Sequence, residues 1–403
     1  AREAHQGRRR RVHASLDQGM KVDVAVLGGG PAGTACALTL RRYSDLRVAV
    51  IERGDYSGPR VGETIGPGVR PLLAYLGVWD EFIADGHRRA HATAAAWGSD
   101  EIFRQEFFFT GRGEGWHLDR CRFDRMLALA ASDAGGRILS NCAFRSITRA
   151  KAGGWLIAAR YHDGRQVRIT ARFVIDATGR AALVARRLGE RPSVVDQLIG
   201  VTGFIDFAKP FEDEHFALVE ACRDGWWYSA CLPRQRMAVA FMSDPEIVRE
   251  LRAQHLSGWR ALLASTLHTR GRVENGSSPE TLFARVAGSQ CLRPAGGERW
   301  LAVGDAASSF DPLSSMGIGH ALSTGMHAAR AANAALEGDD GLLHEYSRSI
   351  AENFERFLEL RRSFYAAERR WTESPFWLRR QTRARESIGS FRPGQDVAVA
   401  LSS

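Results

Sequence analysis

The chain has 403 residues, 44% of them hydrophobic and 25% charged, enough to bury a large core and to hold two closely joined domains. No apolar run reaches the ~20 residues that a membrane helix needs, so no membrane span is expected. The net charge of +9 is spread along the chain beyond an arginine-rich start, a distribution that argues against a nucleic-acid partner and is compatible with an acidic protein partner.

Residues 1–19 are polar, include Arg8 to Arg11, and lack the apolar core of a signal peptide. They predict a disordered basic leader over 1–20, with Met20 as the natural start and the cytoplasm as location. An apolar strand over 22–27 then runs through Gly28, Gly30 and Gly33 into an alanine-rich helix over 31–42. In this spacing the first glycine permits a tight turn, the second lets a pyrophosphate approach the backbone, and the third lets the helix pack on the strand. A second strand over 46–51 ends at Glu52 and Arg53, where a carboxylate can accept ribose hydroxyls. Gly28, Gly30, Pro31, Ala32, Gly33, Glu52 and Arg53 are therefore candidate contacts to a dinucleotide.

Further along, Gly62-Glu63-Thr64 precedes a short helix over 66–76, and the aromatic-rich stretch 90–118 suggests strands leaving the nucleotide domain. A helix over 122–134 returns to it. Three short strands near 141–149, 154–161 and 165–172 form an antiparallel excursion; in the last, Val167, Ile169 and Ala171 alternate with polar residues. Residues 197–243 and 280–287 supply a second sheet. A buried strand over 300–303 leads into Gly304-Asp305, an Asp311-Pro312 turn and a helix over 315–336. Beyond Leu342, apolar residues recur at helical spacing and read as core. The six cysteines contain no C-x-x-C and no histidine cluster, so neither a metal site nor a disulfide framework is expected.

The ordered motifs G62-E-T-I-G-P67, L118-D-R-C-R-F-D124, D176-A-T-G-R180, G225-W-W-Y-S-A-C-L-P233 and G304-D-A-A-S-S-F-D-P-L-S-S-M-G-I318 resemble the p-hydroxybenzoate hydroxylase-like flavoproteins. Within them, the set is similar to the branch of flavin monooxygenases and halogenases that includes the maturases of tryptophylquinone cofactors. The resemblance implies an α/β fold: a Rossmann-like FAD-binding domain (21–89, 119–190 and 293–340) with the three-stranded antiparallel insertion. It adds a mainly antiparallel substrate-binding sheet (90–118 and 191–292) and a helical region over 341–403. It makes the dinucleotide FAD. It also implies that Gly304-Asp305 holds the ribityl chain and that Pro312, Ser315, Gly317 and Ile318 meet the flavin at a helix start. Arg120 would contact FAD, and Arg60 and Gly62 would lie near the pyrophosphate.

The departures bear on activity. Flavin-dependent tryptophan halogenases place a lysine beside a tunnel, but here the only lysines are Lys21, Lys151 and Lys209, none of them between Gly62 and Arg120. Arginine stays protonated and is a poor substitute. The halogenase W-x-W-x-I-P motif is blurred into W226-W-Y-S-A-C-L-P233, whose Trp226, Trp227 and Tyr228 suit either a cavity wall or a packed central strand. The resemblance thus implies hydroxylation, in two rounds, of a tryptophan in a protein substrate through a C4a-hydroperoxyflavin. O2 is the co-substrate, and NAD(P)H or an external reductase supplies electrons. The implied substrate is the cross-linked small subunit of an amine dehydrogenase, alone or with its radical S-adenosylmethionine enzyme. Halogenation, small-molecule aromatic hydroxylation, FAD-dependent reduction and simple FAD carriage are the alternatives. Glu63 suits a proton acceptor or a loop hydrogen bond, and no catalytic side chain is assigned.

Overall fold

The computed structural model describes residues 19–110, 113–151, 153–211 and 215–381. Most of the expected leader lies outside these residues, and Met20 already opens the first strand.

Two large sheets organise the chain. The first runs in the order Gly296–Gly297, Trp300–Ala302, Gln166–Asp176, Met20–Leu27, Val48–Ile51, Arg137–Leu139. Four of its five neighbouring pairs, from Trp300–Ala302 to Arg137–Leu139, are parallel. Gln166–Asp176 is its axis. One edge of that strand pairs with Met20–Leu27, while the other is shared end to end by the antiparallel Trp155–Tyr161 and the parallel Trp300–Ala302. The excursion strand and the following F173-V-I-D segment are therefore one strand, not two. Its burial alternates up to Arg172 and is continuous from Phe173 to Asp176, as expected where the strand passes from a one-sided to a two-sided packing environment.

The helices Pro31–Tyr43 and Gly317–Glu337 pack together because both present small residues. A Cβ on Gly325 would sit 2.2 Å from the Ala32 carbonyl oxygen. The second of these helices starts at Gly317, two residues later than the sequence suggests. Asp311 caps a short 3-10 turn, Pro312–Ser314, which ends in a left-handed Ser315 (φ 51°), and this blocks earlier helix. Similarly, the short helix expected over 66–76 divides into a Pro67–Val69 turn and an Arg70–Tyr75 helix.

The second sheet is seven-stranded: Leu282–Val286, Ile199–Asp206, Arg236–Ser243, Gly225–Leu232, Phe216–Cys222, Ala92–Ala96, Phe103–Glu106. Only the Phe216–Cys222 and Ala92–Ala96 pair is parallel. Two small sheets join the halves. Thr64–Ile65 and Arg88–Ala90 flank Gly115–His117, and Gln290–Cys291 lies between Ser193–Val194 and Ser308–Ser309. The helix Gly341–Ala367 crosses both halves. Its Tyr346, Ile350, Phe354 and Phe357 enter the first core, and Phe364 and Tyr365 join Trp97, Trp226 and Trp377 in the second. No helix among the described residues is long and apolar enough to cross a membrane.

Candidate functional site

A cavity of about 350 Å³ lies between the glycine loop and the seven-stranded sheet. Its first wall is backbone-rich. Gly28 has φ +115°, and a Cβ there would lie 2.0 Å from the Ala177 carbonyl oxygen; a Cβ on Gly33 would lie 1.9 Å from that of Gly28. These two glycines are required by the fold itself. Gly30 differs, because a Cβ there would meet nothing within 4 Å. It faces the cavity with Pro31 and Ala32 at the positive end of a 13-residue helix. Such an open cradle of backbone at a helix start is the shape a pyrophosphate needs.

Glu52 lies behind this loop. Its Oε2 accepts the Gly29 amide at 2.7 Å and its Oε1 accepts the Gly54 amide at 2.9 Å. Oε2 keeps a second lone pair for a hydroxyl, whereas Oε1 also accepts from Arg60 at 3.5 Å. Arg60 is committed to protein acids, with Asp124 at 2.7 Å and Glu52 at 3.5 Å. Arg53 is exposed and does not line the cavity.

Arg120 does line it. The guanidinium donates to the Val61 and Gly62 carbonyls at 2.6 and 3.0 Å and chelates Asp124, which fixes the Gly62-Glu63-Thr64 loop. Gly62 lies on the cavity surface, and Gly304, with φ +55°, sits beneath Asp305 against Ala32. Asp305, Pro312, Ser315, Gly317 and Ile318 complete this side. Asp305 is 3.4 Å from Arg180, a residue that D-A-T-G-R suggested only as structural.

Strand pleating selects the opposite wall. Tyr228 pairs with Ala240, Ala240 with Thr202, and Met242 with Gly200, so these side chains share one face. Of the three aromatics in G225-W-W-Y, only Tyr228 lines the cavity. Trp227 points to the other face, against Phe241 and Trp259. Trp226 shares the cavity face but lies under the C-terminal helices, where it donates to Tyr365 Oη at 3.2 Å. Both faces of this strand are buried, so alternation alone left its wall-facing side unmarked.

Polar chemistry concentrates at the Gly-Glu-Thr loop. Glu63 is 4% exposed, lines the cavity, and its Oε1 has no hydrogen-bond partner. Burial raises its carboxyl to about 7 against the pull of Arg120. Next to it, Thr64 Oγ1 is 2.5 Å from Tyr228 Oη and 2.9 Å from His117 Nδ1. Burial, reinforced by Arg272 and Arg88, depresses the His117 imidazole to about 3, so it is neutral. Its Nε2 has no hydrogen-bond partner and lies in the field of those cations. Thr64 thus bridges the neutral His117 imidazole and Tyr228, whose side chain lines the cavity.

A family model described as FAD binding domain matches residues 21–359. A putative FAD-dependent oxidoreductase, LodB of Marinomonas mediterranea, is 32% identical over 360 residues, covering 89% of this chain and 96% of its own. Among solved structures, the myxobacterial chondrochloren halogenase CndH superposes with a TM-score of 0.82 at 20% identity, over 95% of this chain and 96% of its own. The peptidyl tryptophan dihydroxylase QhpG, essential for tryptophylquinone cofactor biogenesis, gives 0.71 at 24%, over 90% and 79%. At these identities the two structures establish the shared fold.

Proposed function

Because the chain belongs to the FAD binding domain family, we propose that it is an FAD-dependent monooxygenase that hydroxylates, in two rounds, a tryptophan side chain of a protein substrate. The product is the precursor of a tryptophylquinone cofactor. The observation that carries this reading is the buried Glu63 carboxyl, whose Oε1 has no hydrogen-bond partner, on a cavity without a lysine. Likeness to QhpG supports the substrate class, and likeness to halogenases supports the alternative of halogen transfer.

Bound and reduced, FAD supplies the activation of O2 for transfer of an oxygen atom to an electron-rich ring. Electrons come from NAD(P)H or a separate reductase. On this reading Gly28 and Gly33 shape the turn, and the amides beginning at Gly30 face the pyrophosphate. Glu52 would take the ribose, and Asp305 and Arg120 would hold the middle of the cofactor. Pro312, Ser315 and the start of the Gly317–Glu337 helix would meet the flavin edge, where amides would stabilise negative charge.

The chain's own groups complete the reaction. Tyr228 would hydrogen-bond to the substrate and orient it. If an oxygen atom is transferred to an indole ring carbon with cleavage of the O–O bond, that carbon must lose its proton, and Glu63 Oε1 would accept it. With its carboxyl near 7, the group can take up and release that proton near neutral pH. A lysine that could carry an activated halogen is missing from this wall, because Lys21, Lys151 and Lys209 all lie elsewhere.

The test is mass spectrometry on an amine-dehydrogenase small subunit already cross-linked by its radical S-adenosylmethionine enzyme. Incubated with the FAD-loaded chain, reductant and air, it gains two oxygens on one tryptophan. Chlorine incorporation when halide is present, or an unchanged mass, rejects the proposal.

A further inference from the structure

The seven-stranded sheet ends at the cavity. Leu282–Val286 is an edge strand, paired on one side with Ile199–Asp206 and with no strand on the other among the described residues. Its phase is fixed by the Ala287 amide, which donates to the Leu198 carbonyl. Antiparallel alternation then turns the amides of Phe283 and Arg285 inward and leaves those of Leu282, Ala284 and Val286 facing outward. Natural edges are usually guarded by charge, proline or a covering element. Here Ala284, Arg285 and Val286 are all exposed, Val286 at 63%. The opposite edge, Phe103–Glu106, carries Arg104 and Glu106 and lines no part of the cavity.

From this geometry we infer that an extended segment of the protein substrate docks on the outer edge of Leu282–Val286 as an eighth strand and delivers its tryptophan into the cavity. The inference rests on the peptidyl-substrate reading above. Three observations select this occupant. Outward amides and carbonyls at strand spacing are met in full only by another extended backbone. Arg285, Val286 and Ala287 themselves line the cavity, so an added strand is continuous with it. Arg285 pairs with Gly200, on the pleat face that carries Thr202, Ala240, Met242 and Tyr228. A side chain directly opposite Arg285 on the added strand therefore points into the cavity. The charge is complementary as well. Arg285 makes no ion pair among the described residues; its guanidinium only covers the outward Ala284 carbonyl, at 2.9 Å. An acidic substrate residue can take that guanidinium while the substrate backbone takes the carbonyl.

The experiment uses the full FAD-loaded chain and a library of twelve-residue peptides with a fixed central tryptophan. Binders are selected and then mapped by amide hydrogen exchange. The expected result is at least tenfold slower exchange at Ala284 and Val286 with peptide bound, and at least tenfold weaker binding to A284P. Proline at that position removes an outward amide only, so pairing with Ile199–Asp206 and FAD binding persist. Exchange mapping on the unsubstituted chain keeps the test valid if A284P folds poorly. No binder, protection confined to other elements, or Ala284 and Val286 amides already protected because a second copy of the chain covers the edge, each overturns the inference. The proposed activity is read separately. Oxidised tryptophan without edge protection leaves that activity standing and removes this docking mode, whereas edge protection without oxidation does the reverse.

Discussion

Tyr365 donates its hydroxyl to Asp311 Oδ2 at 2.7 Å, binding the C-terminal helix to the turn that opens the cavity's helix 54 residues earlier. The same carboxylate takes Arg361 Nε at 3.2 Å and caps the turn through the Leu313 amide at 3.1 Å. Trp226 in turn donates to Tyr365, so the second sheet, the long helix and the cavity turn share one buried hydroxyl. Y365F removes one donor from a buried carboxylate and the acceptor of a buried indole. It should lower stability by about 2 kcal/mol, read from the urea midpoint. An unchanged midpoint would remove the turn's dependence on this contact.

The glycine loop separates folding from binding. G33A places a methyl group against the Gly28 carbonyl and should destabilise the chain with or without cofactor. G30A meets open space in the free chain, so its thermal midpoint without FAD should match the parent. Its FAD affinity should fall at least about tenfold, because the added methyl occupies the pyrophosphate approach. Fluorescence titration of the FAD-free proteins measures both. If G30A binds FAD with parental affinity, the phosphate contact lies elsewhere.

Glu63 gives a pH dependence of unusual sign. Its carboxyl is raised from 4.5 to about 7 in the fold. Between those values the folded chain keeps a proton that the unfolded chain has released, so stability falls as pH rises and the full cost is present above 7. The gap corresponds to about 3 kcal/mol. In the FAD-free chain, E63Q should therefore melt higher than the parent at pH 8, with the difference shrinking toward pH 5. With substrate, E63Q should lose about 10²-fold in turnover and the rise in rate through pH 7. A parental pH profile in E63Q would remove the residue from the chemistry.

Neighbouring aromatics should respond differently. W227A empties a site packed by Phe241 and Trp259 and should cost about 3–5 kcal/mol. Y228F deletes a hydroxyl that opens on the cavity and reaches Thr64, so it should cost about 1 kcal/mol or less. Its effect should appear as a raised KM for the substrate. Denaturation and steady-state kinetics on the pair would distinguish wall from core; equal losses of stability would place both in the core.

Much of the first half of the site was legible because its chemistry is local. Gly28, Gly30 and Gly33 adjoin one strand and one helix, and Gly304-Asp305 with Asp311-Pro312 form consecutive turns, so spacing alone carries their geometry. Thr202, Ala240, Met242 and Arg285 left no such trace. They belong to one wall only through cross-strand register, which pairs positions far apart in the chain. Arg180 read as a strand-to-turn residue, and its approach to Asp305 depends on how two separate loops meet. The split at Ser315 was hidden for another reason: a left-handed serine stops the helix where composition favours it.

The most direct measurement is oxygen tracing. The FAD-loaded chain, a reductant and a cross-linked quinoprotein small subunit are incubated under 18O2 in ordinary water, and the modified tryptophan is located by fragmentation before quinone exchange with solvent. The account predicts two heavy oxygens on one indole, with no product in the absence of O2. Oxygen drawn from water, a halogen on the ring, or oxidation that proceeds anaerobically would contradict it.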